Sequence, residues 1–417
     1  MKKILFTIII SFLFMSNCFA LEFNINSKNA LIYNLNEDTI LYEKNKDEKI
    51  SIASMTKIMT AIVAIENIND LDQEITLQYA DFYGLAEANA AVAGFYVGER
   101  VTYRDLLYAL MLPSGADAAQ ALTRNIAGSN EAFVELMNKK AKELELKNTH
   151  FTNPTGLDDV NHYSTLSDVA IMFKYALKNE TFKTIVTTKS YRTSDGYLNL
   201  RSTLTTNMNR YGLSMNYIKG GKTGTTYDAG LCLASIANYN GVDYMLITAR
   251  APYSKSSPYN FLDAKTIYEY FMNNFSYKNV TSTEDTVLTL DTLYAKKDKV
   301  SFKATNEVEM YLTNDFKKED LVYKYEGNDT ITTDMKKGTY LGEVGVYYND
   351  ELLTTIDIRL NEELEFDLKK FLKAHHEEVS SIIIGGIVIL VVIILVIVLN
   401  IKNKKKKKEE QKKEVTE

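Results

Sequence analysis

The residues best suited to chemistry stand near the start of the chain. Ser54-Met55-Thr56-Lys57 places a hydroxyl and an amine three residues apart, so at the head of a helix the two are neighbours on one face. There the amine can take the hydroxyl proton, provided that burial or a second cation lowers its pKa. The helix N-terminus adds positive potential and free N–H groups, which suit the oxyanion formed when a carbonyl is attacked. This is the sole S-x-x-K in the chain, and the sole K-T-G, Lys222-Thr223-Gly224, lies far downstream at the head of an apolar strand. Between them, Ser114-Gly115-Ala116-Asp117 follows the apolar stretch 106–112. The chemistry these residues point to is acyl transfer through a serine ester.

Other chemistries find little material. The four histidines form no H-E-x-x-H arrangement and have no cysteine partner, so a zinc peptidase is unsupported and neither a metal nor an organic cofactor is expected. A net charge of −6 over 417 residues gives no reason to expect a nucleic-acid partner. Cys232 sits in an apolar run and reads as a small buried hydrophobe.

The elements that must hold these residues can be read in outline. Residues 30–35 and 39–43 form a hairpin about the turn Asn36-Glu37-Asp38. A helix starts at Ser54, with Ile58, Ile62 and Ile65 at helical spacing and Ala61 and Ala64 allowing close packing, so it is buried on most sides. Ser129-Asn130-Glu131 caps a helix over 132–146, and 164–177 is amphipathic. Past Lys222 the pattern changes to strands at 231–237 and 242–249, joined by Asn240-Gly241, and a closing helix at 262–275. Strands at both ends of the region and helices in its middle predict an α+β domain, an antiparallel sheet covered by helices. Residues 280–368 read as short strands only, a second, all-β domain acting as a spacer or orienting module.

Both ends carry membrane signals. Lys2 and Lys3, the apolar run 4–14 and Cys18-Phe19-Ala20 form an export signal cleaved after Ala20; Met15-Ser16-Asn17 makes a poor lipobox for Cys18. The unbroken apolar run 382–399 is long enough for one membrane span, since a helix of that length reaches roughly 30 Å. Lys402 and Lys404 to Lys408 follow it, and such a cluster stays on the cytoplasmic side. The expected organisation is a signal peptide at 1–20, a catalytic domain at 21–277, a β-rich domain at 278–372, a transmembrane helix at 382–401 and a basic cytoplasmic tail at 402–417. The bulk of the protein would face outward from the cell membrane.

The three motifs in this order resemble those of the penicillin-binding D-alanyl-D-alanine carboxypeptidases: S-x-x-K, S-x-N and K-T-G. The likeness covers nearly the whole chain and extends to Ile52-Ala53-Ser54, Leu112-Pro113-Ser114-Gly115, Asn153-Pro154-Thr155-Gly156-Leu157, His162-Tyr163-Ser164-Thr165 and Gly220-Gly221-Lys222. It implies the penicillin-binding-protein and β-lactamase type of catalytic fold, a peptidoglycan stem peptide ending in D-Ala-D-Ala as substrate, and β-lactam antibiotics as acylating inhibitors. Ser54 would attack the carbonyl between the two D-alanines, with Lys57 as base and Ser114 relaying a proton to the leaving amine. Lys222 and Thr223 would hold the terminal carboxylate. The N–H groups of Ser54 and Thr225 would form the oxyanion hole, with Gly224 and Thr226 completing the substrate-binding strand and Thr226 reaching the carboxylate. His162 would either touch the deacylating water or pack its loop, and Asn153 and Pro154 would fix a turn.

The sequence departs from the family in one place: Ala116 stands where the S-x-N motif has asparagine. An amide there can accept from a lysine and donate to substrate, and alanine does neither, so Asp117, Thr226 or a water would have to compensate. Two other readings stay open. A class A β-lactamase shares the Ser, Lys and K-T-G logic but wants a dedicated deacylating glutamate, which is not found at the corresponding place. A non-catalytic wall-binding or β-lactam-sensing receptor would make Ala116 a mark of decayed chemistry. Endopeptidase or transpeptidase action by the same acyl-enzyme differs only in the acceptor.

Overall fold

The computed structural model of the protein describes residues 21–414, so the expected export signal at 1–20 lies outside the described residues. Two compact units divide between Asn273 and Asn274.

The first unit is built on a five-stranded antiparallel sheet. Strands β1 (Asn29–Asn34) and β2 (Thr39–Lys44) form the N-terminal hairpin; β7 (Ile218–Thr226), β8 (Gly230–Tyr239) and β9 (Val242–Ala251) come from the far end of the unit. Their order is β2-β1-β9-β8-β7, so the first strand pairs with the last, Ile32 opposite Leu246. This leaves β7, which carries the K-T-G triplet, at an edge with unpaired backbone groups.

Alternation along these strands separates two faces. Leu31, Cys232, Ala234, Met245 and Ile247 join the helical core. On the other face α8 (Tyr259–Asn274) sets Tyr268 against Tyr244 at 6.3 Å between ring centres, and the Tyr268 hydroxyl donates to the Ser235 carbonyl at 3.0 Å.

The helical core surrounds α1 (Lys57–Asn67). Every residue of it from Lys57 to Ala64 is buried, as its small and apolar sequence requires. Around it pack α2 (Tyr103–Met111), α3 (Ala116–Ala127), α4 (Asn130–Glu143), α5 (Leu166–Leu177) and α6 (Glu180–Thr187), with α7 (Thr203–Arg210) against β7. The Ser129 hydroxyl caps α4 by accepting from Ala132 N–H, and Thr165 caps α5 in the same way from Asp168. Two short hairpins, β3 (Glu74–Thr76) with β4 (Arg100–Thr102) and β5 (Ser190–Arg192) with β6 (Asn199–Arg201), complete the unit.

The expected helix from Ser54 differs in its first turn. Residues Ala53–Thr56 are a 3-10 turn, and the α-helix proper begins at Lys57.

The second unit contains strands β10 (Phe275–Thr281), β11 (Thr286–Leu293), β12 (Lys299–Lys303), β13 (Val308–Thr313), β14 (Val322–Gly327), β15 (Thr330–Thr332), β16 (Tyr340–Tyr348) and β17 (Glu351–Arg359) in small sheets, β10-β13, β12-β11-β15 and β14-β16-β17. They close over their own core, which includes Val280, Val300, Phe302, Ile331, Val344 and Ile358. After α9 (Leu368–Ala374), capped by Asp367, a single helix α10 (His376–Glu414) contains the apolar run. Among the described residues it is the one helix long and apolar enough to cross a membrane, and none of its apolar window is buried against protein.

Candidate active site

The 3-10 turn sets Ser54 at the head of the buried helix, and its geometry depends on a strained neighbour. Ala53 has φ +47°, a left-handed conformation that costs a non-glycine residue about 1 kcal/mol or more. It is held there by packing. Gly156 lies so close that a Cβ on it would come within 2.0 Å of the Ala53 carbonyl oxygen, and Gly224 of β7 would place one 3.2 Å from the Ser54 nitrogen. Two glycines thus let a loop and a strand close on the turn from two directions, and Gly224 brings β7 up to Ser54.

Lys57 Nζ lies 3.1 Å from Ser54 Oγ and donates to the Thr155 carbonyl at 2.6 Å. The side chain is buried, and that burial brings its amine from an ordinary 10.5 down to about 7, against a smaller upward pull from Asp117. Near neutrality a large share of Lys57 is therefore the free amine, able to accept the Ser54 proton. The Thr155 carbonyl is delivered by a turn built on Asn153, whose Oδ1 accepts from Thr155 Oγ1 and the N–H groups of Thr155, Gly156 and Leu157, while the Pro154 carbonyl accepts from Thr60 Oγ1.

Ser114 joins α2 to α3 at φ +68°, again left-handed without being glycine, and this turns its hydroxyl toward β7. Lys222 Nζ donates to Ser114 Oγ at 2.8 Å and to the Thr223 carbonyl at 2.9 Å. Lys222 is fully buried, and its pKa falls well below the ordinary lysine value through burial first and the nearby Lys57 second. It lies behind the cleft wall and meets the cleft through its bond to Ser114. Thr223 Oγ1 does line the cleft, 2.7 Å from Thr203 Oγ1 at the start of α7.

Two lobes meet at Ser54. One, of about 520 Å³, is lined by Ser114, Thr203, Asn207, Arg210, Thr223 and Lys255 among others. Of these, Thr203, Asn207, Arg210 and Lys255 escaped the sequence reading, for neither α7 nor the loop between β9 and α8 that holds Lys255 bears a motif; an arginine in the polar run before Lys222 was the available signal. The other lobe, of about 1130 Å³, is lined by Lys57, Ala116, Gly156 to Asp158 and Thr225 to Asp228. Thr226 belongs here and not with the first lobe, because its hydroxyl donates to Asp158 Oδ1 at 2.6 Å.

The structure also answers how Ala116 is accommodated. Asp117 turns its carboxylate to the N–H groups of Ala93, Gly94 and Ala118, and Thr226 is committed to Asp158, so neither replaces an asparagine amide. Lys57 instead has Ser54 Oγ and the Thr155 carbonyl as partners. His162 is buried and lines neither lobe: Thr152 N–H donates to its Nδ1, so Nε2 carries the proton and donates to Thr56 Oγ1 at 2.8 Å. Burial lowers its pKa to about 4, which keeps it neutral as a prop under the turn that carries Ser54.

Residues 17–252 match the family model described as D-alanyl-D-alanine carboxypeptidase, and residues 275–365 match that of the C-terminal domain of penicillin-binding protein 5. The chain belongs to the D-alanyl-D-alanine carboxypeptidase family. Among similar members is the D-alanyl-D-alanine carboxypeptidase DacF of Bacillus subtilis, 31% identical over 81% of this chain and 86% of the relative. The crystal structure of the Streptomyces K15 DD-transpeptidase is 32% identical, with a TM-score of 0.54 over 60% of this chain and 98% of that one. Penicillin-binding protein 5 of Haemophilus influenzae shares the fold at 23% identity, with a TM-score of 0.58 over 82% of this chain and 98% of that one. As a D-alanyl-D-alanine carboxypeptidase the protein is a serine peptidase, and its paired lysines are the feature to be explained.

Proposed function

We propose that this carboxypeptidase removes the terminal D-alanine from peptidoglycan stem peptides through an ester on Ser54. The observation that carries the reading is the pair of buried lysines, each hydrogen-bonded to a serine of the same cleft. Free Lys57 amine takes the Ser54 proton as Oγ attacks the carbonyl carbon. The oxyanion forms beside the N–H groups of Ser54 and Thr225, where β7 lies against the turn. When the C–N bond breaks, the amine of the leaving D-alanine needs a proton. Lys222 donates to Ser114 Oγ, which leaves the hydroxyl's own hydrogen free to pass to the leaving nitrogen as Ser114 Oγ takes up the proton that Lys57 removed from Ser54, so Lys57 returns to the free amine. The leaving carboxylate lies in the smaller lobe, met by Thr223 and Arg210. Water then attacks the ester, Lys57 again taking the proton. Retention of two good partners by Lys57 despite Ala116 favours a working enzyme over a decayed receptor.

In this reading residues 21–277 are the catalytic domain and 278–372 an orienting module. The apolar stretch of α10 spans the membrane with Lys402 and Lys404 to Lys408 on the cytoplasmic side, which puts both domains outside. The reading is tested by incubating the full chain with penicillin and mapping the adduct by mass spectrometry. A penicilloyl mass on the Ser54 peptide, absent from Ser54→Ala, is expected. An adduct that survives Ser54→Ala would overturn it.

A further inference from the structure

The rim of the cleft carries an aromatic pair that the reaction does not use. Loop 88–98 borders the larger lobe: Ala88 to Ala91 line it, and the Ala91 carbonyl accepts from Ala116 N–H at 2.7 Å. Further along the same loop Tyr96 and Val97 are 54% and 53% exposed, and Tyr197, at the turn between β5 and β6, is 71% exposed. The two tyrosine rings, far apart in sequence, meet edge to face with 6.0 Å between their centres.

Their exposure is held in place from beneath. Tyr96 N–H donates to Oε2 of the buried Glu99 at 2.9 Å, and Tyr197 N–H donates to Asp195 Oδ1 at 2.9 Å. Asp195 accepts in turn from Thr193 Oγ1, Asp105 accepts from the N–H and hydroxyl of Ser194, and Asp117 accepts from the N–H groups of Ala93 and Gly94. Each ring therefore stands on a turn tied down by carboxylates, so a ligand that settles on it has little chain left to order.

Size and charge select the occupant. Tyr96, Val97 and Tyr197 make a patch well short of the ~800 Å² that each partner covers in a stable protein interface. The four carboxylates about it outweigh Arg192, which donates to the Gly196 carbonyl at 3.0 Å, so a polyanion is disfavoured. A neutral N-acetylated sugar fits both conditions, since its C–H face packs on an aromatic ring and its hydroxyls can pair with the phenol oxygens. Reach agrees as well. Tyr96 lies at most about 18 Å of chain beyond Ala91, and the acyl half of a pentapeptide spans at most about 14 Å, so a stem peptide in the larger lobe brings its sugar end within range of this rim.

We infer that Tyr96 and Tyr197 form a stacking platform for the glycan to which the stem peptide is attached, so that the enzyme favours peptides still joined to their sugars over free ones. The inference rests on the acyl-enzyme reading above. The contact makes and breaks no covalent bond.

The test measures D-alanine release by the full chain in detergent from a free pentapeptide ending in D-alanyl-D-alanine and from the same peptide joined to an N-acetylated disaccharide. The expected result is about a fivefold higher kcat/KM for the glycopeptide, the size of one good aromatic contact, carried by KM and insensitive to salt. In the double variant Tyr96→Ala, Tyr197→Ala the ratio falls to about one, with penicillin labelling used to show that the active site is assembled. Tyr197→Ala alone lowers it part-way, and Tyr96→Phe with Tyr197→Phe keeps most of it. Equal kcat/KM for the two substrates in the unaltered chain, or a preference that persists in the double alanine variant, overturns the inference while leaving the catalytic reading intact. D-alanine from neither substrate would be a failure of the catalytic reading itself, and would take the inference with it.

Discussion

Replacing Lys57 with methionine should make the catalytic unit more stable at mildly acid pH and leave it nearly unchanged at alkaline pH. Burial lowers the folded pKa of Lys57 from 10.5 to about 7. Between those values the unfolded chain keeps a proton that the folded chain has released, so stability rises with pH across the window and the full cost is felt below about 7. Each tenfold shift in proton affinity is worth about 1.4 kcal/mol, which puts that cost at about 5 kcal/mol at pH 6 and about 2 kcal/mol at pH 9. Methionine has a similar volume and removes the charge, but it leaves the buried Thr155 carbonyl without its donor, a loss of about 1 to 3 kcal/mol. Lys57→Met should therefore gain about 3 kcal/mol over the native chain at pH 6 and almost nothing at pH 9. Relief of the repulsion on Lys222 works in the same direction. Pulse proteolysis in urea, following the catalytic unit, measures the difference at each pH. A gap that stays flat from pH 6 to pH 9, or a variant less stable at pH 6, would refute the reasoning that catalysis here is maintained against a buried amine.

Three further outcomes follow from the same geometry. The rate of acylation by penicillin should rise with pH through a midpoint near 7, because the free amine of Lys57 is the reactive form; a rate flat between pH 6 and pH 8 would remove Lys57 as base. Ser114→Gly and Ser114→Ala should both lose roughly 100-fold or more in kcat, yet the glycine variant should be the more stable by about 1 kcal/mol since it relieves the φ of +68°; thermal midpoints in the opposite order would deny the strain. Gly156→Ala should cost on the order of 3 kcal/mol and abolish penicillin labelling, as its Cβ would stand 2.0 Å from the Ala53 oxygen; a labelled variant of native stability would show that the loop can retreat.

Much of this was legible in the sequence, for identifiable reasons. The outer hairpin, the buried helix behind Ser54 and the β8-β9 hairpin announce themselves because hydrophobic period and turn chemistry are local. Spacing alone set Lys57 beside Ser54, and the family resemblance implied the approach of Ser114 and Lys222, which are hydrogen-bonded to each other. What escaped depends on contacts between distant segments. That Thr155 offers Lys57 a carbonyl could not be read from its side chain, since the acceptor is backbone. The burial of Lys222 is decided by β8 and α6 closing on Gly220 and Gly221, where a Cβ would meet backbone atoms at 2.4 Å, and no local pattern announces that. Arg210 and Thr203 sit on a short polar helix with no motif, and only the packing of α7 on β7 brings them to Ser54. The 3-10 form of the first turn follows from the strained Ala53, which the two facing glycines enforce.

The most direct measurement is release of free D-alanine from a pentapeptide ending in D-alanyl-D-alanine, compared between the full chain and its Ser54→Ala variant. The account predicts steady release by the native chain and none by the variant. Release that persists in Ser54→Ala, or none from a native chain that still binds penicillin covalently, would contradict it.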